Sequence, residues 1–370
     1  MAISERSGSD FVASWPAAIE RGDQLALPIV IMRAGTSRGA FFHAGDLPLD
    51  PAARDRVILA VYGSPDVRQI DGIGGADPLT SKVAIDRPLV DYGGNCGNML
   101  AGIGPFAVDE GIVEAVEPTT RVRIHNVNTG RIIVAEVPVS DVRARTSGDA
   151  VTAGVPGTGA AIVLDFGATA GTLGRGLLPT GREREVLDGV EVTIADAANP
   201  TVFVAAREIG LERDSLLDTL EEGTVQRLRE LRAHAAERLG LAPSAARADD
   251  ESPGIPKVYA LAPAGADDRC HLVGRGLTFG RPHAAYASTV AICTAVSSRV
   301  PGTVVWDQLA PAARDLPELR IGHPAGVLTV QVEVEEARDG WLVRRAAIER
   351  TARRLVSGLA YVPRAVLDEN

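Results

Sequence analysis

Aromatic side chains are scarce: Phe, Trp and Tyr supply 4% of the 370 residues. A chain so poor in flat rings offers few platforms for stacked bases, and a formal net charge of -10 repels phosphate backbones and anionic lipid surfaces. Both features argue against nucleic-acid and membrane partners. No run approaches the roughly 20 apolar residues of a membrane-spanning helix. The first 26 residues lack the apolar core that follows the basic start of a secretory leader. Cysteine is rare as well. Cys96, Cys270 and Cys293 form no C-x-x-C pair and no even-numbered framework, which suits a reducing cytoplasm. Six scattered histidines, with no H-E-x-x-H and no Cys/His cluster, predict no metal site. A G-x-S-x-G elbow is missing, and Gly72 to Gly75 is not followed by the lysine of a phosphate loop.

What the chain does have is small and apolar residues. A hydrophobic content of 45% is enough for two domains of ordinary size. With an acidic overall field, an anionic substrate must be captured by local features. The most pointed of these is Gly93-Gly94-Asn95-Cys96-Gly97-Asn98, which delivers a thiol to the start of an apolar run, Met99 to Val108, predicted to be a buried helix. A helix N-terminus carries partial positive charge and unpaired N–H donors, so it attracts carboxylates and favours a thiolate. A free cysteine is also, in many proteins, no more than a small buried hydrophobe. Upstream, a loop rich in Gly and Asp from Gly63 leads to Lys82, at the head of a short strand Lys82-Val83-Ala84-Ile85. A partly desolvated lysine loses some of its basicity and works as a base near neutrality; the plainer reading is a solvated strand-end lysine.

Taken in order, residues 1–26 read as a flexible extension. Leu27 to Arg33 is a strand ending in the hydroxyl-rich turn Gly35-Thr36-Ser37-Arg38-Gly39, and Pro51 opens a helix through Tyr62. Arg121 to Asn126, Arg131 to Val139, Val190 to Ile194, Thr201 to Ala205 and Lys257 to Ala262 are expected strands. Ser215 to Leu239 reads as an amphipathic helix broken at Gly223, and Ala242 to Gly254 as a mobile loop. Ala287-Ser288-Thr289 precedes a second apolar helix, Val290 to Val296; Arg320 to Val334 and Trp341 to Ile348 are strands again. Strands, one buried small-residue helix and more strands occur twice. This predicts an α+β protein of two related halves, 27–182 and 183–350, with a cleft between their central helices and a segment 351–370 returning to the first.

Several long motifs occur in one order: Gly35-Thr36-Ser37-Arg38-Gly39, Gly63-Ser64-Pro65-Asp66-Val67-Arg68-Gln69-Ile70-Asp71-Gly72, Leu79-Thr80-Ser81-Lys82, Asn95-Cys96-Gly97-Asn98, Asn126-Val127-Asn128-Thr129-Gly130 and Ile321-Gly322-His323-Pro324-Ala325-Gly326. With them the chain resembles, over nearly its whole length, the PrpF family of 2-methylaconitate isomerase, 3-methylitaconate delta-isomerase and 4-oxalomesaconate tautomerase. Arg121 to Gly130 and Ile321 to Gly326 look most like the methylitaconate isomerase branch. The resemblance implies a diaminopimelate-epimerase-like fold, two pseudo-symmetric domains each with a curved sheet around a central helix. It also implies cofactor-free and metal-free isomerisation of small unsaturated di- or tricarboxylates, with Lys82 and Cys96 as the catalytic pair. Two departures stand out. Fewer residues separate Lys82 from Cys96 than is usual in the family, which would expose a sheet edge or move Lys82. Arg38 stands where lysine is commoner, keeping the charge and adding a bidentate fork.

Moving a double bond in a polycarboxylate removes a proton from one carbon and returns one at another, through a carbanion that nearby donors must stabilise. Lys82 suits the base and Cys96 the partner acid, and the pair would also run in reverse. Thr36, Ser37, Arg38, Asn95, Gly97, Asn98, Ser288, Thr289 and His323 are the candidate carboxylate holders. Hydroxyls beside glycines equally serve as turn and cap groups, and His323 is as readily structural. The expected partner is a small unsaturated polycarboxylate, with room for a homo-oligomer. Two other readings compete. A same-fold racemase or epimerase would use two facing thiols, whereas the position opposite Cys96 falls to Ser288 or Thr289. A catalytically impaired homologue would only bind a polycarboxylate or act as an accessory protein.

Overall fold

The computed structural model describes Trp15 and residues 18–77, 79–82, 96–266, 269–338 and 340–367. Its contacts gather the chain into two units, 1–91 with 353–370, and 92–352.

The first unit is built on one helix and one small sheet. Asp50 caps the helix Pro51–Tyr62 by accepting a hydrogen bond from the Ala53 N–H at 2.8 Å, Pro51 supplies a preset φ at the first turn, and Gly63 ends it in the left-handed region at φ 75°. Val57, Ile58, Val61 and Tyr62 pack with Leu25, Leu27, Ile29 and Val362. Strand Gln24–Ala34 pairs with Ile19–Arg21, Ser37–Phe41 and the C-terminal strand Ala352–Pro363. The expected extension is therefore shorter than residues 1–26. Ile19 to Arg21 form a hairpin arm against Gln24 to Ala26, and Trp15 is only 2% exposed, with its indole N–H on the Asp46 carbonyl at 3.0 Å. Burying that large ring, with its one donor satisfied, outweighs the polar composition around it.

Among the described residues, the second unit carries a sheet of thirteen strands. It runs without interruption from Thr119–Asn126 through Ile162–Asp165, Gly340–Arg350 and Glu318–His323 to Glu185–Leu187. Ile162–Asp165 and Gly340–Arg350 pair antiparallel, so the sheet crosses the boundary expected near residue 182, and both small-residue helices fall in this one unit. Helix Gly97–Asp109 lies on the strands Thr119–Asn126 and Arg131–Ser140. It approaches so closely that a Cβ on Gly104 would stand 2.6 Å from Val137 Cγ2. In helix Ser288–Ser297 all ten residues are buried. A helix made of Ser, Thr, Ala, Val, Ile and Cys is slim enough to be surrounded on every side.

Other differences have local causes. The long helix starts at Glu222 rather than breaking at Gly223, preceded by a separate 3-10 turn at Asp214–Leu217. Arg320 to Val334 is two strands, Glu318–His323 and Gly326–Ala337, because Pro324 has no N–H to continue a ladder. Ala242 to Gly254 contains the helical turn Ala248–Glu251, with Ala248 fully buried. Leu272–Thr278 is a strand that the sequence hid, since it is buried on both faces and shows no alternation.

Candidate active site

In the first unit, Thr36 sits in the turn between strands Gln24–Ala34 and Ser37–Phe41, with Gly35 at φ 55° opening it. Ser37 is 2% exposed, and Arg38 stands directly across the ladder from Arg33. Arg353 lies near enough to Arg33 for its charge, after burial, to hold the Arg33 guanidinium below its usual range. The turn is thus rich in positive charge, which suits an anion. The Arg38 N–H donates to the Leu79 carbonyl at 2.8 Å, tying this turn to the Leu79-Thr80-Ser81-Lys82 stretch.

Gln69, a residue not singled out as a candidate in the sequence, organises the loop that carries Lys82. Its Oε1 accepts from the Ala76 N–H at 3.0 Å and from the Ser81 hydroxyl, while Ser81 Oγ accepts from the Gly75 N–H at 2.8 Å. At 5% exposed, Gln69 is a buried amide holding the residue next to Lys82. Its signal was there, since it lies inside the Asp66 to Gly72 motif, but an uncharged amide suggests no chemistry of its own. Lys82 itself is half-buried at the end of this loop. Asn95, the strand expected after Lys82 and the short Lys82-to-Cys96 segment lie outside the described residues.

In the second unit, Cys96 is the N-cap of helix Gly97–Asp109 and is half-buried, so its thiol stands at the helix start as the motif implied. The start of helix Ser288–Ser297 abuts it. A Cβ on Gly97 would fall 2.7 Å from Ser288 Cβ and 3.0 Å from the Thr289 nitrogen, so only glycine permits the approach. The Ser288 hydroxyl donates to Asn98 Oδ1 at 2.8 Å, and Thr289 Oγ1 accepts from Asn199 Nδ2 at 3.1 Å. Cys96, Gly97, Asn98, Ser288 and Thr289 are therefore brought together. Cys293, deeper in the second helix, has its thiol pushed up to about 12 by burial and is no second partner.

Behind Ser288 lies a group the sequence reading missed. Arg350 Nε donates to Ser288 Oγ at 3.1 Å and Nη1 to the Glu349 carbonyl at 3.0 Å. Burial lowers its guanidinium to about 10. Period-two alternation could have found it, because Arg350 shares the inward face of Ile348. His323, the last residue of its strand, is 3% exposed. Burial first, and then the Arg350 charge, lower its imidazole to about 4, so the ring is neutral near pH 7. Its Nδ1 accepts from the Ala325 N–H at 3.2 Å, which leaves the ring proton on Nε2.

Among the described residues, no group of three or more His, Cys, Asp and Glu is placed to hold a metal ion, and no helix is long and apolar enough to cross a membrane. A cavity of about 710 Å³ lined by Arg299, Trp306, Arg314, Trp341 and Arg345 contains none of the candidate residues.

Comparison with known proteins adds the following. The family model described as PrpF protein matches residues 24–86 and 83–363, and the two pieces meet where the chain between Lys82 and Cys96 is short. The chain is 42% identical to a 3-methylitaconate isomerase of Eubacterium barkeri, over 93% of this chain and 99% of that one. It is 38% identical to a 4-oxalomesaconate tautomerase of Pseudomonas putida (92% and 97%) and 33% identical to a 2-methyl-aconitate isomerase of Shewanella oneidensis (92% and 98%). A crystal structure of a methylitaconate-delta-isomerase superposes with TM-score 0.75 at 41% identity, covering 94% of this chain and 98% of that one. A hydroxyproline epimerase, at 13% identity and TM-score 0.51, shares the fold alone, which agrees with the diaminopimelate-epimerase-like α+β class. Matched almost from end to end by the family model and by these relatives, the chain belongs to the PrpF family.

Proposed function

We propose that this protein is a cofactor-independent isomerase that shifts a double bond in a small unsaturated di- or tricarboxylate of the methylitaconate or methylaconitate kind. Lys82 is assigned as the base that removes the allylic proton and Cys96 as the acid that returns one, with the helix start at Gly97 and Asn98 and the turn residues Thr36, Ser37 and Arg38 as carboxylate holders. The observation that carries this reading is the junction of the two helix starts. The two residues that follow Cys96, Gly97 and Asn98, meet a hydroxyl pair, Ser288 and Thr289, and no second thiol stands at that junction among the described residues. Proton exchange at one carbon from both faces needs an acid–base group on each face, and the hydroxyls of Ser288 and Thr289 are far weaker in that role than a second thiol. Transfer between two carbons of one carboxylated alkene can be run by Cys96 and a separate base, Lys82. That favours an isomerase over a racemase. The names of the relatives point the same way, and they supply the candidate acids. The test is a proton NMR assay of methylitaconate, methylaconitate and oxalomesaconate with the purified protein. Conversion of at least one acid to its double-bond isomer is expected. No conversion of any of them would remove the isomerase reading and leave a binding protein.

A further inference from the structure

The buried end of Gly340–Arg350 holds a cation that forms no ion pair among the described residues. Arg350 is 5% exposed, and among the described residues its acceptors are one serine hydroxyl and one backbone carbonyl. Among the described residues no carboxylate pairs with it; the nearest acidic influence is the neighbouring Glu349, which is exposed on the opposite face of the strand, whereas a buried guanidinium is ordinarily paired. A second donor lies in the same place. His323 Nε2 is buried without a hydrogen-bond partner among the described residues, and its ring feels the Arg350 charge. A guanidinium edge and an imidazole N–H, both lacking an acidic acceptor, are complementary to one carboxylate. Ser288 fixes the fork from behind: its hydroxyl accepts from Arg350 Nε and donates to Asn98, one turn-start away from Cys96.

We propose that Arg350 anchors a carboxylate of the substrate in the second unit, with His323 Nε2–H as the neutral co-donor and Ser288 as the group that orients the guanidinium. This rests on the polycarboxylate reading above and adds the residue that recognises one of the carboxylates. It also separates the roles of the hydroxyls. Ser288 is committed to Asn98 and positions Arg350, while Thr289 accepts from Asn199 and, among the described residues, keeps its own O–H to donate.

The test reads local charge at Cys96 and needs no substrate. Anionic iodoacetate and neutral iodoacetamide alkylate the same thiol, and the ratio of their rates reports the potential beside it. Cys270 and Cys293 are buried, and peptide mass spectrometry assigns the label to Cys96. Replacing Arg350 by Met should lower the iodoacetate-to-iodoacetamide ratio about tenfold, the effect of one charge on the order of 10 Å away at an effective dielectric near 20. Arg350→Lys should restore most of it. For any acid that is turned over, Arg350→Met should raise KM more than it lowers kcat. A folded Arg350→Met protein with the wild-type ratio would overturn the proposal. If that variant does not fold, Arg350→Gln, which keeps an N–H for Ser288 and loses the charge, is read in the same way: a ratio lowered about tenfold supports the anchor, and the wild-type ratio overturns it. Because the ratio is measured without turnover, an inactive wild type would refute the isomerase reading and leave the anchor separately readable.

Discussion

Adding a single methyl group at residue 97 tests whether the two helix starts are held as closely as described. Gly97→Ala would place a Cβ 2.7 Å from Ser288 Cβ, 3.0 Å from the Thr289 backbone nitrogen and 3.1 Å from Thr289 Cγ2. A side chain alone cannot turn aside, because one of the three contacts is backbone. One helix must therefore move by several tenths of an ångström within a packed interior, at a cost of about 1–3 kcal/mol. The helix preference of alanine returns at most about 1 kcal/mol, and less in the first turn. The net loss is about 1–2 kcal/mol, which for a unit of this size lowers Tm by about 3–6 °C. Cys96 is next in the chain and moves with that helix start, so kcat should fall by up to about tenfold, since misplacing a reacting group by a full ångström costs about a hundredfold. Gly223→Ala is the matched control. Nothing lies within 4 Å of its added Cβ, it sits in the first turn of helix Glu222–Arg238, and a gain of about 0.4–1 kcal/mol is expected. Thermal melts and turnover of the two variants side by side would settle the matter. Equal stability and native turnover in Gly97→Ala would refute the close junction.

Three further outcomes are expected. His323 is neutral in the folded state down to about pH 4, whereas in the unfolded chain it takes up a proton near pH 6.5, so its contribution to stability is present above pH 6.5 and is lost as pH falls toward 4. Urea unfolding at pH 7 and pH 4.5 should show a loss of about 2–3 kcal/mol that His323→Asn removes; an identical pH slope in the variant would contradict this. Gln69→Leu strands the Ala76 N–H and the Ser81 hydroxyl, and should lower turnover through the displaced Lys82 loop while costing about 1–3 kcal/mol, read by activity and by hydrogen exchange at residues 63–82. Cys293→Ser replaces a weakly polar thiol by a hydroxyl in a fully buried position and should destabilise by about 1–3 kcal/mol with little direct effect on the chemistry, as measured by kcat in the folded fraction.

Much of this arrangement was legible in the residues. The run Met99 to Val108 has too many small apolar residues to be anything but a buried helix, and Cys96 falls at its cap because glycines and an asparagine precede it. Asp50-Pro51 and Gly63 mark both ends of the first unit's helix with chemistry that is local to the chain. What remained hidden depends on partners distant in sequence. Leu272–Thr278 is buried on both faces, so it carries no alternating pattern. Trp15 looks like part of a polar tail until the core that receives it is assembled. Arg350 falls on the inward face by alternation, but an arginine at a strand end carries no mark of burial by itself. Only the sheet, by turning that face toward helix Ser288–Ser297, makes it a buried cation. Gln69 acts by holding Ser81, and a positioning role leaves no chemical mark on a sequence.

The central claim, that an amine and a thiol carry the proton, is tested most directly by deuterium wash-in. The wild-type protein, Lys82→Ala and Cys96→Ala would each be incubated with methylitaconate in deuterated buffer and followed by NMR. The account predicts exchange at the allylic carbon by the wild type and a loss of at least about a hundredfold in each variant. Wild-type exchange rates in either variant would contradict it.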